Sequence, residues 1–65
     1  MPIVHVEMKE GRIKEQKASI VRNVTQAMVD STGCSHERVM VVIREMSPFD
    51  LGVGGITVTE KQGLE

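Results

Sequence analysis

Apolar and polar residues alternate from the second residue of the chain. Pro2, Val4, Val6 and Met8 fall on one side of an extended backbone, and Ile3, His5 and Glu7 fall on the other. The alternation predicts a strand over residues 2–8 with one wholly apolar face. Gly11 punctuates its end and permits a tight turn. From Lys14 to Thr32 the apolar positions Ile20, Val21, Val24, Ala27 and Met28 recur every three or four residues, while Lys14, Glu15, Arg22, Asn23, Gln26 and Asp30 fill the other side. This predicts a helix roughly 28 Å long, ended by a left-handed Gly33. No Ser, Thr, Asp or Asn stands at its start, so a side-chain cap has to come from the turn. Residues 39–46 are rich in β-branched side chains and predict a buried strand. Beyond Ser47-Pro48, the glycines Gly52, Gly54 and Gly55 followed by Ile56-Thr57-Val58-Thr59 predict a glycine-rich turn and a short strand or hairpin.

Strand, crossover helix and strand make a β-α-β unit of the α+β class, with parallel strands, a right-handed connection and a short C-terminal β-hairpin. A single helix covers only one face of such a sheet. The 65 residues form one domain, residues 1–65, and a chain this short buries only about 60% of its unfolded surface. With one cysteine, no internal disulfide is available to help. Stabilising surface is therefore expected from self-association. Eight basic and nine acidic residues give a net charge of -1, and Phe49 is the only aromatic, which argues against a nucleic-acid partner. No apolar run approaches the roughly 20 residues of a membrane span, and no signal-peptide pattern is present, so the expected location is the cytoplasm. Leu64-Glu65 has the look of a cloning scar and is set aside.

Initiator methionine is normally trimmed before a small residue, which gives an expected mature chain of residues 2–65. Pro2 then becomes a secondary amine rather than an inert amide, able to take and return a proton. Without that trimming, proline here is an ordinary strand-edge residue whose missing donor costs nothing. Other candidate chemistry is weaker. His5 reads as a hydrogen-bonded interface histidine. The glycines lack a following lysine and helix, so a phosphate loop is disfavoured. Five methionines with His5, Cys34 and His36 raise a soft-metal reading, but Met28 and Met46 occupy core-type positions and no CxxC or MxxM cluster exists.

Taken together, Pro2 on an apolar strand, Glu10-Gly11-Arg12 followed by Glu15-Gln16-Lys17, a helix ending near Thr32-Gly33, Val41-Val42-Ile43 running into Glu45-Met46, and Gly52-Val53-Gly54-Gly55 resemble the 4-oxalocrotonate tautomerase family. The resemblance runs from Pro2 to about Gly55. It implies a hexamer of three dimers, active sites drawn from more than one subunit, and chemistry without cofactors. In it the terminal proline moves a proton between carbon and oxygen in enols such as 2-hydroxymuconate, so the implied substrate is a small unsaturated 2-oxo or 2-hydroxy acid. Pro2 is then the catalytic residue. A base working near pH 7 needs a pKa near 7, and burial or a neighbouring cation lowers that of an amine. Arg12 is the candidate cation, and its planar fork also suits a substrate carboxylate.

Departures from the family pattern bear on the substrate. Met40 stands where well-known members carry a second arginine early in the second strand, and losing such a donor costs about 10²-fold to 10³-fold in turnover. Arg38 is the nearer substitute on the face of Met40, with Arg44 farther along. Leu51 stands where an aromatic precedes the glycines, and Phe49 lies two residues earlier. Hydration or dehalogenation of unsaturated acids needs an acidic group near the glycines. Val53 stands there instead. The alternative to an enzyme is a catalytically weak oligomeric binding protein of the same fold.

Overall fold

The computed structural model describes residues 1–64; of the pair Leu64-Glu65 set aside above, Glu65 lies outside the described residues. Strand β1 (Ile3–Lys9) leads through a turn to helix α1 (Lys14–Thr32), and strand β2 (Met40–Met46) returns parallel to β1. The register pairs Ile3 with Met40, Val4 with Val41, Val6 with Ile43 and Lys9 with Met46. Its consequence is two unlike faces. Pro2, Val4, Val6 and Met8 are half-buried on the side that carries the helix. Ile3, His5 and Glu7 are exposed on the other, as the alternation requires.

Helix α1 presents Ile20, Val24, Met28 and Val29 as half-buried positions, while Val21 and Ala27, expected in the stripe, lie on its exposed flank. Its N-terminus is capped from inside. The Ile13 N–H donates to Gln16 Oε1 at 3.1 Å, and the Lys17 N–H begins the helical ladder on the Ile13 carbonyl at 3.1 Å. Gln16 thus supplies the cap that no Ser, Thr, Asp or Asn provides. The helix closes where expected, with the Gly33 N–H on the Val29 carbonyl at 2.9 Å. A single 3-10 turn, His36–Arg38, then leads into β2.

A second 3-10 turn, Pro48–Asp50, precedes an antiparallel hairpin of β3 (Gly52–Val53) and β4 (Ile56–Thr57). Gly54 and Gly55 both have positive φ, 64° and 84°, the backbone that a two-residue hairpin turn demands and that other residues resist. The strand expected to continue to Thr59 ends at Thr57, and helix α2 (Val58–Leu64) replaces it. The reason is local: Thr57 Oγ1 accepts the Glu60 N–H at 3.2 Å, an N-cap that turns the chain into helix.

Among the described residues of a single chain, no side chain is fully buried. On the face away from α1, Ile3 is 54% and Met40 49% exposed, and the C-terminal segment carries Phe49 at 73% and Val53 at 76%. The molecule measures 44 × 25 × 16 Å, with a radius of gyration of 15.1 Å, against about 11 Å for a compact chain of this length. Among the described residues, no helix is long and apolar enough to cross a membrane.

Candidate active site

Pro2 sits just ahead of β1 with its ring half-buried. Its carbonyl accepts the Met40 N–H at 3.0 Å, which ties the beginning of the chain to the first residue of β2. Position 2 is thereby held at one end of the parallel pair, beside the place where β2 starts. Arg38 belongs to the same end. It closes the 3-10 turn two residues before Met40, its N–H donates to the Ser35 carbonyl at 3.1 Å, and its side chain is exposed.

Arg12 belongs to the opposite end. It follows the last residue of β1 in the turn that enters α1 and is exposed. Strand β1, with seven residues at about 3.3 Å each, holds its ends roughly 20 Å apart. Within one chain Pro2 and Arg12 therefore do not meet. Leu51 lies beyond the far end of β2, half-buried, with its carbonyl accepting the Val58 N–H at 2.8 Å. Of the four residues singled out by sequence, one chain places Pro2 and Arg38 at one end of the sheet and Arg12 and Leu51 at the other.

The turn bearing Arg12 is anchored by neighbours to which sequence reading gave no role. The Glu10 N–H donates to the Met46 carbonyl at 2.9 Å, and Lys17 Nζ forms an ion pair with the Glu45 carboxylate. That hydrogen bond from Lys17 holds the Glu45 carboxyl below its ordinary pKa of 4.5; partial burial opposes the shift, while the Lys17 charge and the Gly11 backbone reinforce it. Glu45 is paired with Met8 and follows Val41 and Ile43 on the helix side of the sheet. An acidic residue ending an apolar face was the available signal.

The residues of the soft-metal reading are scattered. His5 is exposed opposite Val42 on the open sheet face, His36 Nε2 lies 2.9 Å from Gln26 Oε1, and Cys34 Sγ accepts from Thr32 Oγ1 at 3.0 Å. Among the described residues, no three His, Cys, Asp or Glu side chains are arranged to hold a metal ion, and those of one chain enclose no cavity.

A parallel β-α-β unit with a small C-terminal hairpin, and a proline pinned at the start of its first strand, defines a recognisable class. The family described as "Tautomerase enzyme" matches residues 2–61, and the chain belongs to that family of isomerases. Among its relatives, a probable tautomerase of Bacillus cereus is 43% identical over 61 residues, which span 94% of this chain and all of the relative. TomN, a 4-oxalocrotonate tautomerase homologue in the tomaymycin biosynthetic pathway, superposes with a TM-score of 0.94 at 31% identity over 95% of both chains. A heterohexameric 4-oxalocrotonate tautomerase from Chloroflexus aurantiacus superposes with a TM-score of 0.88 at 33% identity, covering 92% of this chain and 97% of its own.

Proposed function

We propose that this chain is a cofactor-independent enol–keto tautomerase acting on 2-hydroxy-dienoates or related unsaturated 2-oxo acids, with the amine of Pro2 as general acid and base once Met1 is removed. The observation that carries the reading is that the match to the tautomerase enzyme family begins at Pro2 itself. The amine takes the proton of the enol hydroxyl, electrons shift through the conjugated system, and the resulting ammonium returns the proton to carbon. No net oxidation occurs, so the reaction needs no redox cofactor.

Arg12 and Leu51 reach the site from other copies, and Arg38 from the same chain as Pro2. Arg12, roughly 20 Å from Pro2 along its own chain, binds a substrate carboxylate at a neighbour's Pro2, and Leu51 lines that neighbour's site. Arg38, at the Pro2 end of its own sheet, takes the place of the arginine that Met40 lacks and faces the oxygen where charge develops. A homohexamer built as a trimer of dimers supplies these neighbours. Support for assembly comes from the uncovered Ile3 and Met40 face and the elongated shape, and a related solved tautomerase is itself a heterohexamer. The substrate is a small molecule, and the enzyme works in the cytoplasm.

Pro2→Ala tests the reading. It replaces a secondary amine by a primary one in the same place. The expected outcome is an intact assembly with reduced turnover and an altered pH profile, whereas the trimmed parent gains activity with rising pH at a midpoint below the roughly 8 of an ordinary α-amino group. An unchanged rate and pH profile in Pro2→Ala contradicts the assignment.

A further inference from the structure

We infer that Glu45, held by Lys17, is a positioning residue for Arg12: from the end of β2 it fixes the Glu10–Ile13 turn that carries the guanidinium. This rests on the substrate-binding role proposed for Arg12. The turn has no regular structure of its own, contains Gly11 at a φ of 121°, and leaves the Arg12 side chain exposed. An arginine so placed is useful as a carboxylate fork only if its backbone is held, because bidentate binding needs a fixed approach. The backbone is held on both sides of Arg12. Before it, the Glu10 N–H is bonded at 2.9 Å to the carbonyl of Met46, the residue that follows Glu45 at the end of β2. After it, the Ile13 N–H is bonded to Gln16 Oε1 at 3.1 Å.

Glu45 joins these supports. Its carboxylate meets Lys17 on the first turn of α1, so the end of β2, the turn and the start of the helix share one cluster. Docking the helix alone does not require a charge at this position. Val41 and Ile43, the two preceding residues on that face, do it with apolar side chains. What an apolar residue at position 45 lacks is an acceptor for Lys17. The pair is partly exposed, at 33% and 31% of the two side chains, so its effect on overall stability is small and its main effect falls on the local backbone.

The test is a double-mutant cycle in the assembled enzyme with a dicarboxylate dienol as substrate. Glu45→Ala removes the acceptor, Glu45→Gln keeps an acceptor but loses the charge, and Lys17→Ala removes the partner. Each is made with and without Arg12→Ala, and assembly is checked by light scattering. Positioning predicts that Glu45→Ala raises KM about 3-fold to 10-fold with kcat within about 2-fold, and Glu45→Gln does so less; neither changes KM further once Arg12 is absent. An equal rise in KM with and without Arg12 overturns the inference and makes Glu45 a structural residue only. Wild-type KM in Glu45→Gln, Glu45→Ala and Lys17→Ala overturns it as well. If Glu45→Ala fails to assemble, Glu45→Gln and Lys17→Ala decide by the same cycle. Wild-type kinetics in Arg12→Ala alone overturn the substrate-binding role of Arg12 and this inference with it, an outcome distinct from failure at Glu45.

Discussion

Arg12 and Arg38 are both exposed arginines, and only their places in the fold tell them apart. Arg38 stands at the end of the sheet where Pro2 is tied to Met40, and Arg12 stands at the other end. Their proposed tasks differ accordingly. Arg12→Ala removes a carboxylate fork and is expected to raise KM for a dicarboxylate enol about 10-fold to 100-fold, with a much smaller effect on a monocarboxylate. Arg38→Ala removes a donor at the developing charge and is expected to lower kcat by up to about 10²-fold. Steady-state kinetics on both substrates separate the two, and unchanged constants return either arginine to the solvated surface. Candidate residues were legible in the sequence because a proline at position 2 and a Glu-Gly-Arg turn are local features. Their mutual distance was not, since ten positions of sequence separation say nothing about which end of a strand each occupies. The pairing of Glu45 with Lys17 was hidden for a similar reason, since the two lie twenty-eight positions apart.

At the scale of elements, the long helix was read with its boundaries because its period and its closing Gly33 are both strong signals. The C-terminal end was misread beyond Thr57. Thr57-Val58-Thr59-Glu60 has the Ser/Thr-x-x-Glu form of a helix start, and its β-branched residues masked that signal. The faces of β1 were legible from alternation alone, but the flank position of Val21 and Ala27 depends on how α1 is rotated over the sheet. One element-level contact carries a pH dependence. Glu45 has its pKa lowered below 4.5, first by the hydrogen bond from Lys17, so the folded state binds fewer protons there than the unfolded one. The stabilisation it gives is present above about pH 4.5 and is lost as pH falls through the lowered value. Urea unfolding at fixed protein concentration should show Glu45→Gln slightly less stable than the parent at pH 7 and the two converging near pH 3. A gap of the same size at both pH values contradicts this account of the ion pair.

As a whole molecule the single chain looks unfinished: no side chain is fully buried among the described residues, one sheet face is open, and the long dimension is 44 Å. The open sheet face was legible from length and from a helix that covers one face only. The exposure of Phe49 and Val53 was not, because it depends on how the C-terminal segment folds away from the sheet. Light scattering should find a hexamer, and a stable folded monomer at micromolar concentration contradicts the multi-chain site. The central claim joins that assembly to one atom, the nitrogen of Pro2. Retaining Met1 converts the nitrogen to an amide without useful basicity and leaves the rest of the chain unchanged. The most direct measurement is therefore tautomerase activity on one preparation whose intact mass shows a chain starting at Pro2 and another whose mass shows Met1 retained, both assembled. The account predicts activity in the first and none in the second; full activity in the Met1-retaining enzyme contradicts it.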